Sequence, residues 1–177
     1  FDLSADDRKR ALASGPKSGK GEIIVLYENG ISPVKGPNPH FSSIPQFFPR
    51  LNPVASARVS VDGGEVGETF VLHDIESTAI ANLDEKYAGI VARKIAGIAA
   101  KEAVAAGIGE KTKSPLLRQL TRLVFYASDQ ADIRSWNLLP KDLQILRIPV
   151  EPGTHTVRIT PEGRGDPGSE KTIQVGA

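Results

Sequence analysis

The chain has 177 residues, of which 40% are hydrophobic and 24% charged, a balance typical of globular rather than disordered proteins. This length corresponds to one domain, or to one domain with a small appendage. Lys and Arg number 22 and Asp and Glu 21, so the net charge of +1 provides no field to hold nucleic acid or an anionic membrane by charge alone. Cysteine is absent, which excludes thiol catalysis, cysteine-based zinc sites, iron–sulfur clusters and disulfides.

The first 21 residues are polar and basic and end in a stretch rich in Gly, Ser and Lys. We interpret residues 1–21 as a linker or the end of a helical region, and we expect a single α+β domain over 22–177. Because residue 1 is Phe rather than Met, we expect a processed product or a fragment. The glycines of this stretch do not predict a phosphate-binding loop, since no Ser or Thr follows Lys20 and a strand follows instead of a helix.

Three segments predict the N-terminal half of the sheet region. The run 22–29 is almost continuously apolar, which predicts a central strand buried on both faces. Residues 30–53 contain six prolines, so we expect a long loop without regular structure, anchored by its apolar residues. The alternating run 57–62 and the run 66–73 flank a Gly-Gly turn, which predicts a hairpin.

The clearest helix is predicted over 78–106, where apolar residues recur along one arc. Asn82 and Glu85 have capping-box spacing, so the regular part is expected to begin after Asn82, and Gly107 and Gly109 are expected to end it. The back of this helix is rich in alanine and glycine, and such small residues permit close approach of another helix or a sheet.

A second helix is predicted from a Ser114 cap and Pro115 at the first position to about Asp129. We expect its apolar residues to form a buried stripe. These residues are Leu116, Leu117, Leu120, Leu123 and Val124.

The C-terminal part predicts three strands, over 143–150, 154–160 and 171–175, with a hairpin turn at 151–153. The predicted fold class is therefore α+β, with an antiparallel sheet or incomplete β-sandwich and two helices packed on one face. No run of about 18 apolar residues is present, so no transmembrane segment is predicted.

The residues of catalytic type form no recognisable pattern. His40, His73 and His155 have neither His nor acidic partners at metal-ligand spacing, and no G-x-S-x-G elbow is present. We therefore predict no enzyme, no catalytic, cofactor-binding or metal residues, no cofactor, and no nucleic-acid partner. A hydrolase with dispersed Ser, His and Asp stays open, because such residues meet only in space.

The segment 129–140 contains the only Trp of the chain and has two interpretations. In the structural one, Trp136 fills a gap between helix and sheet, while Asp132 or Arg134 satisfies backbone groups. In the other, Arg134 and Trp136 face a binding partner, since both residue types are enriched at interaction hot spots. The aromatic residues of the proline-rich loop, Phe41, Phe47 and Phe48, are further candidates for interaction.

The order of elements and one motif suggest a family. The chain over about 20–160 resembles the C-terminal domain of an uncharacterised family of bacterial envelope lipoproteins, in which a lipid-modified N-terminus and tetratricopeptide-like helical repeats precede this domain. The most specific part is the pattern D-x-R-S-W-x-x-L-P. It is matched by Asp132, Arg134, Ser135, Trp136, Leu139 and Pro140.

The resemblance implies a location rather than an activity. It implies an extracytoplasmic protein, in the periplasm or associated with the outer membrane, with an envelope protein or its own copies as partner. Membrane attachment would then depend on a lipidated N-terminus that this sequence lacks. We expect a non-catalytic protein-interaction or structural module, part of a larger lipoprotein or assembly. The alternative is a ligand-binding module for an envelope glycan, lipid or peptidoglycan fragment, with a cleft between the long helix and the 41–48 loop.

Overall fold

The computed structural model describes residues 20–127, 129–163 and 167–176. Over these ranges the protein is α+β, with three antiparallel sheets and two helices, which confirms the predicted class. The strands are β1 (Gly21–Asn29), β2 (Val34–Pro37), β3 (Pro45–Phe48), β4 (Ala57–Val61), β5 (Gly64–Glu68), β6 (Phe70–Asp74), β7 (Asp142–Val150), β8 (Gly153–Pro161) and β9 (Ser169–Val175). The helices are α1 (Ile75–Thr112) and α2 (Pro115–Ala127).

The chain forms two compact units. The sandwich unit takes in the described residues of 1–33, 49–78 and 136–177, and the helical unit takes in 34–48 and 79–135. The predicted single domain over 22–177 stays a prediction. Of the predicted linker over 1–21, residues 1–19 lie outside the described residues, and Gly21 begins β1.

The sandwich unit consists of two sheets, with strand orders β1–β7–β6 and β5–β4–β8–β9. Its core joins both sheets, because Ile23, Val25 and Ile148 come from the first sheet and Val59 and Val157 from the second. Successive side chains of a strand point to opposite faces, so each sheet contributes one apolar face to the core.

β1 occupies the edge of its sheet, and among the described strands it pairs with β7 alone. Ile23 and Val25 are buried, whereas Ile24 and Leu26 are 54% and 68% exposed. The prediction of a central strand buried on both faces is therefore wrong. An apolar run could not reveal this, because the exposed residues are as hydrophobic as their buried neighbours.

The strand predicted over 66–73 divides at Thr69, since β5 pairs with β4 and β6 pairs with β7. The buried Thr69 hydroxyl accepts a hydrogen bond from the Ala57 amide at 2.9 Å and donates one to Gln144 Oε1 at 2.5 Å. The β4–β5 hairpin itself is confirmed. Its turn residues, Asp62 and Gly63, have φ angles of 53° and 82°, the positive pair of a type I′ turn.

A buried polar network around Gln144 holds the loop before β4 onto the sandwich unit. Gln144 Nε2 donates to Asp142 Oδ1 at 2.8 Å and to the Ala55 carbonyl at 2.9 Å. Asn29 Nδ2 donates to Asp142 Oδ2 and to the Val54 carbonyl, both at 3.1 Å. Each of these amide hydrogens has an acceptor, as buried polar groups require.

The three C-terminal strands are confirmed, but the hairpin predicted at 151–153 is wrong. β7 lies between β1 and β6, and β8 lies between β4 and β9. Residues 151–152 therefore carry the chain from one sheet to the other. The turn sequence Glu-Pro-Gly suits both connections, so it could not distinguish them.

In the helical unit, β2 and β3 form an antiparallel hairpin, so the prediction that 30–53 lacks regular structure is wrong. Pro37 and Pro45 face each other at the turn end of the hairpin, where their missing N–H groups disturb the ladder least. Asn38 Oδ1 then shapes the turn by accepting hydrogen bonds from the amides of His40 and Phe41, at 2.8 and 3.1 Å.

α1 is longer than predicted at both ends. Asp74 is its N-cap, because Asp74 Oδ1 accepts a hydrogen bond from the Ser77 amide at 2.8 Å. Asn82, the predicted cap, lies inside the helix. The helix ends at Thr112, and the next residue, Lys113, has a left-handed φ angle of 52°; the two glycines expected to end the helix are helical.

Candidate functional site

α2 begins as the sequence predicts, with the Leu117 amide donating a hydrogen bond of 3.3 Å to Ser114 Oγ and Pro115 at the first helical position. The cap satisfies an amide at the start of the helix and does not specify which face contacts α1.

The polar side of α2 lies against α1. Arg122 forms an ion pair with Glu102, and Lys101 Nζ donates to the Phe125 carbonyl at 3.3 Å. A Cβ placed on Gly109 would lie 3.0 Å from the Cβ of Arg118, so the two helices approach closely there. Gly109 does not belong to the alanine- and glycine-rich back of the helix, and at Gly89 and Gly97 of that face an added Cβ would meet nothing within 4 Å.

The connection after α2 is tied to the same helix. Lys94 Nζ lies 2.6 Å from Asp129 Oδ1 and 3.3 Å from the Gln130 carbonyl, and Lys101 lies 3.8 Å from the same carboxylate. These contacts hold the segment that follows the C-terminal end of α2 against α1.

The apolar side of α2 faces solvent, so the predicted buried stripe is wrong. We call its five large side chains the leucine face. They are Leu116 (79% exposed), Leu117 (43%), Leu120 (56%), Leu123 (66%) and Val124 (59%). A shallow hollow of about 440 Å³ runs along it, lined by Leu116, Leu120, Leu123, Gln119 and Arg122.

The three aromatic candidates of the proline-rich segment fall in the β2–β3 region. Phe41 is 63% exposed, Phe48 is 37% exposed, and Phe47 is half-buried. Phe47 lines a groove of about 340 Å³ between the hairpin and α1. The other lining residues are Asn38, Pro45, Gln46, Ile80, Leu83, Asp84 and Tyr87.

Trp136 does not fill a gap, because its side chain is 72% exposed; the structural interpretation of this residue is wrong. Its backbone is nevertheless held, since the Trp136 carbonyl accepts a hydrogen bond of 3.2 Å from Ser32 Oγ. Trp136 belongs to the sandwich unit and Arg134 to the helical unit, so each is described on its own.

Arg134 is exposed and pairs with Asp132 two residues earlier. Its Nε and a terminal nitrogen each lie 2.9 Å from a carboxylate oxygen, and Asp132 Oδ1 also accepts from the Arg134 amide at 3.2 Å. These hydrogen bonds lower the pKa of Asp132 and raise that of Arg134. The pair satisfies the local backbone, as the structural interpretation of Asp132 expected.

Among the described residues, His155 is the histidine whose two ring nitrogens both lie within hydrogen-bond distance of an oxygen. Its Nδ1 lies 2.7 Å from Asp62 Oδ2 and its Nε2 lies 2.8 Å from the Glu151 carbonyl. Both neighbours are acceptors, so the hydrogen bonds to Asp62 and then to Glu151 raise the pKa of His155. Neither nitrogen faces a hydroxyl, so His155 is not placed to activate a serine or threonine.

The described residues contain neither a cluster of metal ligands nor a membrane-spanning helix. They contain no group of three or more His, Asp or Glu side chains arranged to hold a metal ion. No helix among them is both long and apolar enough to cross a membrane, as the sequence predicted.

Sequence reasoning named five candidate interaction residues but missed the leucine face. The signal that could have found it is the spacing of Arg118 and Arg122, which lie one turn apart on the side of α2 that contacts Gly109 and Glu102 of α1. Comparison with known protein families, curated proteins and solved structures finds no match to this chain.

Proposed function

We propose that this chain is a non-catalytic protein-interaction module of the bacterial cell envelope, located outside the cytoplasm, and that the leucine face of α2 is its binding surface. The observation that supports this function is the orientation of α2. The helix contacts α1 through Arg122 and presents five large aliphatic side chains to solvent.

The exposed leucines of α2 can supply free energy of binding if a partner covers them. Fully burying a leucine side chain contributes about 1.5–3 kcal/mol. Soluble monomers rarely keep a contiguous apolar patch of this kind exposed, and such patches mark interaction sites. Leu116, Leu120 and Leu123 therefore offer binding free energy that the described part of the chain does not use.

The proposed location rests on the resemblance carried by the segment 132–140. The partner is an envelope protein or a second copy of the chain, within a larger lipoprotein or assembly. Trp136 and Phe41, which are 72% and 63% exposed, are secondary contact candidates on the sandwich and helical units.

The test is cross-linking mass spectrometry on the protein expressed in a bacterial envelope, with Leu120→Glu as the variant. The matched control is Leu138→Glu, because Leu138 is 89% exposed and lies in the sandwich unit. We expect reproducible cross-links from α2 to a neighbour that Leu120→Glu abolishes and Leu138→Glu preserves. If both variants abolish the cross-links, or if neither does, the leucine face has no binding role.

A second function, ligand binding, is favoured by the groove between the β2–β3 hairpin and α1. Its volume of about 340 Å³ is within the range of small-molecule sites, and the side chains of Phe47 and Tyr87 contribute aromatic surface. The alanine-rich back of α1 does not line it; the apolar stripe does, through Ile80 and Leu83.

This second function is tested by thermal shift against soluble peptidoglycan fragments. We expect a rise in Tm that Phe47→Ala removes and Leu120→Glu leaves unchanged. Because the groove and the leucine face share no residue, the two variants separate the two functions. No shift with any fragment argues against the groove as a peptidoglycan site.

A further inference from the structure

Basic residues outnumber acidic ones around the leucine face. Residues 111–128 include four cations and no acidic residue. The cations are Lys111, Lys113, Arg118 and Arg122. In a chain with a net charge of only +1, this segment is a local concentration of positive charge.

The cations also shape a cleft beside the leucine face. Its volume is about 520 Å³, and Lys113, Arg118 and Arg122 line it. Its single acidic residue is Glu110, and Gln119 and Arg122 line both this cleft and the hollow along the leucines. The two surfaces are therefore continuous.

One donor in this region is unused. Arg122 pairs with Glu102 through a terminal nitrogen, but its Nε is buried and has no hydrogen-bond partner among the described residues. The Arg122 side chain is 40% exposed, so an acceptor of a partner can approach its exposed part but not the buried Nε. A carboxylate is the strongest acceptor for a guanidinium.

The spacing of the leucines indicates the shape of the occupant. Leu116, Leu120 and Leu123 are separated by four and three residues, the spacing of a helix–helix seam. We propose that the leucine face binds an amphipathic helix of another protein, with acidic residues flanking its apolar stripe. This inference rests on the proposed function and specifies its partner.

Two other occupants fit less well. A second copy would bring the same cations together, and like charges at an interface oppose binding. Binding to an anionic bilayer draws on the charge of the whole molecule as well as on an apolar face, and a net charge of +1 supplies little of it.

The experiment uses two synthetic helical peptides with the same leucine stripe, one flanked by glutamates and the other by lysines. Fluorescence anisotropy measures their affinity for the whole chain. We expect the glutamate peptide to bind at least about tenfold more tightly, which corresponds to about 1.4 kcal/mol. The preference should shrink as salt is added, because exposed charge pairs are screened.

The matched variants separate charge from apolar contact. Lys113→Gln with Arg118→Gln should reduce the preference severalfold and retain binding, whereas Leu120→Glu should abolish binding of both peptides. Equal affinities, or a preference for the lysine peptide, overturn the inference. A leucine-dependent dimer in sedimentation, or leucine-dependent binding to phosphatidylglycerol vesicles without peptide preference, overturns it as well.

Failure here is distinguishable from failure of the proposed function. A native neighbour cross-linked through α2 by a segment without flanking acids sustains the proposed function and overturns this inference. Absence of any α2 cross-link in the envelope contradicts the proposed function itself.

Discussion

The sandwich unit and α2 use the same kinds of side chain in opposite ways. In the sandwich, Val59 of one sheet and Ile148 of the other meet in a core and are 0% and 7% exposed. In α2, Leu116 and Leu123 are more than 60% exposed, although the apolar residues of this helix recur as regularly as those of the sandwich strands. Apolar periodicity thus identifies the apolar face of a helix or strand. Whether that face is buried depends on whether another sheet or helix of the same chain packs against it.

The largest expected effect comes from a matched pair of truncations, one in each region. Ile148→Ala should lower the free energy of unfolding by about 2–5 kcal/mol, because it removes packed atoms from the sandwich core. Leu120→Ala should change it by less than about 0.5 kcal/mol, because the side chain is 56% exposed. Urea denaturation measures both. Equal losses would show that the leucine face is packed in the isolated chain.

A second substitution probes the polar interior of the sandwich unit. Gln144→Leu removes the acceptor of the Thr69 hydroxyl and a donor to Asp142. Leaving a buried polar group unpaired costs about 1–3 kcal/mol, so the free energy of unfolding should fall by about this amount. The matched control, Gln119→Leu on the exposed part of α2, should be nearly neutral. An unchanged denaturation midpoint for Gln144→Leu would contradict a structural role of the network.

A substitution at the N-terminal end of α1 should change the free energy of unfolding by a smaller amount. Asp74→Ala removes the acceptor for the Ser77 amide and should cost about 1 kcal/mol. Asn82→Ala should cost nothing through capping, since Asn82 lies inside the helix. Thermal denaturation followed by circular dichroism compares the two. A larger loss for Asn82→Ala would restore the cap predicted from the sequence.

The smallest effect is pH-dependent and concerns His155 and Asp62. The raised pKa of His155 stabilises the fold fully below the unfolded value of 6.5, and this contribution is lost as pH rises through the folded-state pKa. Hydrogen bonds, first from the Thr156 amide and then from His155, lower the pKa of Asp62. Its contribution is therefore present above 3.8 and lost as pH falls through the folded-state pKa.

The pair should consequently stabilise the protein most between pH 3.8 and 6.5. The difference in Tm between the unsubstituted chain and Asp62→Asn, measured across pH, should be largest in this window and smaller above it. A difference independent of pH would show that the ionised pair does not form.

The sequence predicted the elements better than their partners. Alternation located β7, β8 and β9, and Ser114 with Pro115 located the start of α2, because these signals are local. The pairing of β7 with β1 and β6 depends on contacts between residues far apart in the chain, which a turn at 151–153 does not encode.

The same limit applies to the candidate site. Phe41 and Trp136 are exposed, which agrees with the binding interpretation of the sequence without testing it. The leucine face was predicted to be buried, because amphipathicity alone does not say whether the partner belongs to the same chain. Arg122 forms its ion pair with Glu102, 20 residues away in the sequence, and such a long-range contact is not visible in the local pattern of α2.

The division at Thr69 has a consequence for local opening. This residue lies between β5 of one sheet and β6 of the other, and its hydroxyl is hydrogen-bonded to Ala57 of the second sheet and Gln144 of the first. Separating the sheets must break at least one of these bonds, so their central strands should exchange amide hydrogens as one cooperative unit. The amides of β4 and β7 should then show similar hydrogen-exchange protection. The amides of α2 should exchange independently of them and faster.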